Sequence, residues 1–385
     1  MLSKWGLKLS AAQRVYAAFF LYALALGGIY PRIAEIQEGM GVAEGALGMG
    51  LVGTALGTLI SLTFGGDALE RMGAKKVLMG APPLVAIFYA MASYADNPLQ
   101  LFLCLVPAGI CVGAIEQIVN LEADRLEHVL GRRIMNRSHG FWSVGFSCAG
   151  LLGGVAAQFG FNPQAHMLVM VGVVCILVVL LLGQFEAAPL RPSTHMEHQP
   201  KVNFASPTPA IMVLVTATLA AMLMEGASID WSAIYMRDVF NSSPFVGGLA
   251  VAAGASMQAL ARFFADRWVE RFSPVKVARF LSLILCTGVC LITWATSQGM
   301  ALLGFALMGI GTSAIFPLAM SAAARRTDRS AALNVAALAQ ISFVVFLLGP
   351  PLLGWVAESF GIRASFAVSL PLIGLSFWAA KSLEE

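Results

Sequence analysis

Apolar runs long enough to cross a bilayer recur along the whole chain, and no other feature constrains its folding as strongly. A helical span needs about 20 predominantly apolar residues to cross a hydrocarbon core of roughly 30 Å. Read between charged residues and Pro, Gly or Asn punctuation, the 385 residues carry such runs near 11–35, 43–69, 74–94, 98–123, 138–160, 165–186, 208–232, 243–266, 274–297, 299–323, 331–357 and 362–381. Only 12% of the residues are charged, against roughly 25% in an ordinary soluble domain, so lipid is the solvent for most of the surface. Inside lipid every backbone N–H and C=O must be bonded within the chain, which leaves helices or a closed barrel. Barrel strands alternate apolar and polar residues over about ten positions, whereas these runs are continuous. The expected fold class is therefore an all-α polytopic membrane protein with 12 transmembrane helices. The six cysteines fall within apolar runs, lack metal-ligand spacing and read as small core residues.

The basic residues orient the chain. With both termini cytoplasmic, all 24 Lys and Arg except Arg32, Arg237 and Arg363 fall in or beside inner segments, the bias that sets topology. An alternative reading takes Lys4, Lys8 and the run ending near Ala23 to Ala25 as a cleavable leader. That would leave eleven spans and set one end of the chain against the charge pattern. The longest polar segment, rich in proline from Pro189 to Pro209 and holding His195 and His198, divides six spans from six. It implies an N-terminal six-helix bundle over 1–186, a cytoplasmic linker over 187–207 and a C-terminal six-helix bundle over 208–385. The histidine pair has no Cys or third His beside it and reads as linker composition. The halves echo one another: Gly66-Asp67-Ala68-Leu69-Glu70-Arg71-Met72-Gly73 after the second span is answered by Asp266-Arg267-Trp268-Val269-Glu270-Arg271 after the eighth, and Gly150 to Gly153 by Gly349 to Gly354.

The segment Gly66 to Lys76 resembles the loop signature of the major facilitator superfamily, with Glu70 where that family usually has Asp. Tyr30-Pro31-Arg32, the run from Met135 to Gly145 and the run from Glu225 to Ser232 resemble the MosC/YbjJ-type bacterial branch of that family. The resemblance implies a secondary active transporter in which two bundles rock about a site near the midplane, lined by the first, fourth, seventh and tenth spans. It also implies a conformational latch at Gly66, Glu70, Arg71 and Gly73, with its second copy at Asp266, Arg267, Glu270 and Arg271. The plain alternative is that these charges only fix topology. The branch further implies a multi-pass protein of the bacterial inner membrane.

Ionisable residues inside spans are costly and default to functional candidates. A carboxylate held away from water keeps its proton more readily than one in solvent, so Glu116, Glu225 and Asp230 are the proton-coupling candidates; the competing role for the glutamates is a fixed carboxyl that holds helices together. Glu116 and Asn120 lie one helical turn apart on one face. Tyr30, Arg32, Gln117, Asn120, Trp142, Trp231, Tyr235 and Ser313 are the candidate cavity liners. Arg32 is expected to pair with Glu225 or Asp230 across the bundle interface, or else to sit with Asp230 at headgroup level. His139 reads as an amphipathic ring near the interface rather than a proton shuttle.

No phosphate loop, zinc pattern or nucleophile elbow occurs in a supporting setting, so neither an enzyme nor a cofactor is expected. The expected partners are a small-molecule substrate, membrane lipid and protons, with no nucleic acid, and the chain is expected to act as a monomer. Acids, an Arg, amides and aromatic residues favour a small polar solute such as a sugar, polyol or organic acid. Efflux of hydrophobic or cationic compounds is the alternative, which the 18 Met and 24 Phe would accommodate. Against it, Gly150-Leu151-Leu152-Gly153-Gly154 lacks the proline that drug and proton antiporters of this family usually carry late in the fifth span. A transport-inactive sensor or lipid-moving protein of the same fold is a third reading.

Overall fold

A computed structural model describes residues 6–132, 134–189 and 205–384. The side chains of Asp67, Asn136, Asp266, Ala331 and Ala332 lie outside that description, as does most of the expected linker, residues 190–204. Every regular element among the described residues is a helix. Twelve are long and apolar enough to span a membrane: Ala11–Met40, Glu44–Phe64, Ala74–Ala92, Pro98–Leu130, Arg137–Gln158, Pro163–Leu182, Pro209–Phe240, Pro244–Ala265, Pro274–Thr293, Gln298–Arg325, Leu333–Phe360 and Ile362–Leu383. They are called spans 1 to 12, and they form two six-helix bundles.

Local chemistry marks the helix starts. Ser10, Asn97, Asn162, Thr208, Ser297 and Ser330 each accept a first-turn backbone N–H through the side chain, satisfying a donor that has no partner within the helix. Pro98, Pro163, Pro209, Pro244 and Pro274 occupy first turns, where the missing N–H costs nothing. Pro31 instead tightens span 1 into a short 3-10 turn, Tyr30–Arg32, after which the helix resumes to Met40.

Burial separates central from peripheral spans. The apolar window of span 1 is 89% buried and that of span 7 is 61%, whereas those of spans 6 and 11 are 33% and 28%. Spans 6 and 11 are thus among the least enclosed by protein. The six cysteines are half-buried, and Cys104, Cys111 and Cys286 pack against the main core.

Call the end of the bundles at which span 6 finishes and span 7 begins the linker end. The bundles close on each other at the opposite, far end. There a Cβ on Gly48 of span 2 would lie 2.4 Å from the Pro350 carbonyl oxygen of span 11, and one on Gly248 of span 8 would lie 2.6 Å from that of Gly150 in span 5. Arg237, near the end of span 7, donates to the Ala34 carbonyl at 2.6 Å and to Gln37 Oε1 at 2.8 Å in the last turns of span 1. Charge-assisted bonds of this kind are about twice as strong as neutral ones. Arg237→Ala is therefore expected to loosen the far end, seen as several-fold faster maleimide labelling of a cysteine placed at Ala34. Unchanged labelling would assign closure to the helix seams alone.

Candidate functional site

Between the bundles, toward the linker end, side chains from spans 4, 5, 7, 8 and 10 form a connected polar cluster. Asn120 Nδ2 donates to Glu116 Oε1 at 2.9 Å and to the Glu116 carbonyl at 2.8 Å, and Asn120 Oδ1 meets His139 Nε2 at 3.2 Å. With the amide oriented this way, His139 donates from Nε2, and the bonds run in one direction from imidazole through amide to carboxylate. Tyr22 of span 1 lies beside the same carboxylate, and Phe19 packs edge-on to His139 with centroids 5.0 Å apart.

Across the interface, Arg262 of span 8 reaches three ways. Its Nε donates to the Ser313 carbonyl at 3.0 Å, one terminal nitrogen donates to Ser143 Oγ at 3.3 Å, and the other to Glu225 Oε1 at 3.4 Å. Ser143 belongs to the N-terminal bundle, so this guanidinium ties the bundles together; Ser256 Oγ to Ser147 Oγ at 3.0 Å adds a second tie along the same seam. The Arg262 and Glu225 side chains are 15% and 19% exposed, enough for a solute or water to approach. Glu116 also lies within electrostatic reach of Arg262.

Toward the far end the interface turns apolar. Within the C-terminal bundle, a narrow gap of about water size separates spans 7 and 11, lined by Met222, Leu223, Gly226, Asp230, Phe346 and neighbouring residues. Asp230 is its only charged lining residue. Tyr30 and Tyr89 of the N-terminal bundle lie within electrostatic reach of that carboxylate.

Several sequence expectations meet a different arrangement. Arg32 pairs with neither Glu225 nor Asp230: its side chain, 0% exposed, binds Glu35 at 2.8 Å and the Phe161 carbonyl at 2.6 Å within its own bundle. The resumed helix after Pro31 puts Glu35 at i+3, the nearest acid available. Tyr235 is fully buried in packing; its hydroxyl donates to the Ile292 carbonyl at 2.6 Å, and its ring packs on Phe240, Phe305 and Phe366. Trp231 is fully buried against Gly354. Gln117 points at span 2, where it donates to the Ser61 carbonyl at 2.9 Å. Ser313 is buried and offers Arg262 its carbonyl rather than its hydroxyl. Trp142 is half-buried, stacked on Phe146 and edge-on to Tyr22.

Glu70, Arg71, Arg267, Glu270 and Arg271 are all exposed, and none forms an ion pair with another described residue. Gly66 and Gly73 bound a short helix, Gly66–Met72, which packs chiefly on spans 2, 3 and 4 of its own bundle. The expectation for the Asp266 side chain lies outside the described residues. Arg262 is the member that sequence reasoning passed over, and His139, expected as an amphipathic ring near the interface, bonds Asn120 of span 4. Gln258 and Arg262 stand at i and i+4, a polar face continuing into an apolar span, and that was the available signal.

The sequence pattern of the Major Facilitator Superfamily matches residues 15–233 and 213–383. Transporter y4wD of Sinorhizobium fredii is 29% identical over 355 residues, covering 92% of this chain and 93% of that protein. Membrane protein MosC of Rhizobium meliloti is 23% identical over 345 residues, covering 89% and 83%. The crystal structure of nucleoside transporter NupG superposes with a TM-score of 0.70 at 14% identity over 98% of both chains, a likeness of fold.

Proposed function

Since the chain belongs to the Major Facilitator Superfamily, we propose that it is a secondary active transporter that carries a small polar solute by alternating access, coupled to protons. Residues 1–186 and 208–385 are the two rocking units, joined by the linker 187–207. Both termini lie on the cytoplasmic side of a bacterial inner membrane. The far end is then the outer gate, here closed, and the exposed Glu70 and Arg71 are the inner latch, here released.

One observation carries this reading: the hydrogen-bonded run His139, Asn120, Glu116 of one bundle faces Arg262 and Glu225 of the other inside membrane-spanning helices. Polar groups in that position are expensive unless water or a solute reaches them. Such convergent donors and acceptors suit a ligand with its own hydroxyl, amide or charged groups. A proton on Glu225 cancels the charge that holds Arg262 from within its own bundle, leaving the guanidinium to Ser143 or to solute. A proton on Glu116 likewise turns one of the two oxygens that Asn120 and Tyr22 approach from an acceptor into a donor. Either event changes how the bundles are tied.

The test is uptake into vesicles of purified protein under an imposed pH gradient, across sugars, polyols, organic acids and amines. Glu116→Gln and Glu225→Gln are each expected to abolish gradient-driven accumulation while leaving solute exchange without a gradient within a few-fold of the parent. Full gradient-driven accumulation in both variants would remove proton coupling through these groups.

A further inference from the structure

We propose that the transported solute is an α-amino acid, its ammonium group held by Glu116 of one bundle and its carboxylate by Arg262 of the other. The proposal rests on the transporter reading and names its solute class. Glu116 and Arg262 carry opposite charges on facing bundles and lie within electrostatic reach of each other, yet they form no ion pair. Each is held back by its own bundle. Asn120 Nδ2 donates to Glu116 Oε1 at 2.9 Å, and the Tyr22 hydroxyl bonds the same carboxylate. Arg262 is drawn toward the Ser313 carbonyl at 3.0 Å and Glu225 at 3.4 Å. Two charges that would otherwise collapse onto one another are thereby kept apart across the interface.

Both groups keep unused bonding capacity. A guanidinium has five N–H donors and a carboxylate about four acceptor positions. Arg262 engages three of its donors, and the bonds to Ser143 and Glu225 are long at 3.3 and 3.4 Å; good charge-assisted bonds run at about 2.7–2.9 Å. A solute carboxylate free to choose its position makes shorter ones. Glu116, Arg262 and Glu225 are half-buried inside spans rather than sealed, so small groups reach all three. Closure then selects among solutes. When the bundles shut over the site and water leaves, a charge without a partner is costly. An uncharged polyol leaves Glu116 and Arg262 unmatched. A simple organic acid pairs Arg262 but brings a second negative charge toward Glu116, and a simple amine pairs Glu116 but brings a second positive charge toward Arg262. An α-amino acid answers both at once and adds no net charge, with three ammonium N–H groups for the carboxylate and two oxygens for the guanidinium.

The experiment is a binding screen of the common α-amino acids on the detergent-purified full chain at pH 7, read by calorimetry and by the thermal-unfolding shift that any ligand of the folded state produces. The best binder is compared with its α-hydroxy acid, which lacks the ammonium, and with its decarboxylated amine. Each analogue is expected to bind about tenfold more weakly or worse, the usual loss of a hydrogen bond to a charged group. Glu116→Gln should weaken the amino acid by a similar factor while leaving the hydroxy acid unchanged, and Arg262→Lys should weaken the amino acid while leaving the amine unchanged. Should either variant fail to fold, the contrast between the amino acid and its two analogues on the parent chain decides the matter. Absence of binding by every amino acid, equal binding of either analogue, or binding indifferent to both substitutions overturns the proposal. Gradient-driven uptake of a sugar or polyol without amino-acid binding also overturns it and leaves the transporter reading intact. Amino-acid binding through both residues by a chain that moves no solute in vesicles supports the site and counts only against the transporter reading.

Discussion

Arg262→Ala is expected to abolish solute uptake and to lower stability by about 1–3 kcal/mol. Removing one member of a buried ion pair leaves the other charge without compensation, a loss of roughly 3–5 kcal/mol in a dry interior. Here the N···O distance is 3.4 Å and both side chains keep some exposure, which places the loss lower. The Ser313 carbonyl and Ser143 hydroxyl lose a donor as well. The double variant Arg262→Gln with Glu225→Gln carries neither charge, so it should regain most of the stability while remaining inactive. Arg262→Lys should keep part of the stability and little uptake, because a single ammonium on a flexible stem cannot hold three divergent acceptors as a planar guanidinium does. Unfolding followed in detergent, alongside the vesicle assay, separates the two effects. Normal uptake by Arg262→Ala would show that the tie between bundles has no part in transport.

The same residue shows where sequence reading stops. The twelve spans were legible because lipid forces each to be a continuous apolar helix, and that demand is local in sequence. Arg262 lies in a stretch with Asp266, Arg267 and Arg271 that reads as one charged helix end. Only packing shows its side chain turned between the bundles while Arg267 and Arg271 are exposed. Helical period alone would have sorted part of span 7. Met222, Leu223, Gly226, Ala227 and Asp230 repeat at i, i+1, i+4, i+5 and i+8 and share the gap beside span 11, whereas Trp231 and Tyr235 stand at i and i+4 on the neighbouring face, which is buried. Reading all the aromatic residues near the acids as liners ignored that 100° step. Arg32 failed differently, since a remote partner was preferred to Glu35 three residues away. The Arg262 to Glu225 pairing joins residues 37 apart in sequence, and no periodicity reports a contact between two helices.

Glycine contacts give a second large effect whose outcome depends on which surfaces they join. A Cβ on Gly57 of span 2 would lie 2.0 Å from the Val106 carbonyl oxygen of span 4, and one on Gly109 would lie 2.1 Å from that of Thr54. The two backbones touch within one bundle, locked further by Thr58 Oγ1 donating to the Gly109 carbonyl at 3.1 Å. Gly57→Ala must force that crossing apart. Overpacking typically costs about 1–3 kcal/mol, and backbone against backbone leaves no side chain to yield, so the yield of folded protein should fall sharply. Gly48 lies on the same span, and its Cβ would meet the Pro350 carbonyl oxygen at 2.4 Å, but Pro350 belongs to the other bundle. That clash can be relieved by opening the far end, a motion alternating access already requires. Gly48→Ala is therefore expected to leave the unfolding temperature within a few degrees of the parent. It should also raise maleimide labelling of a cysteine at Ala34 several-fold, measured with the six native cysteines replaced. A matching loss of folded protein in both variants would mean that the seam between spans 2 and 11 is as fixed as the one inside the bundle, and the far end would then be no gate.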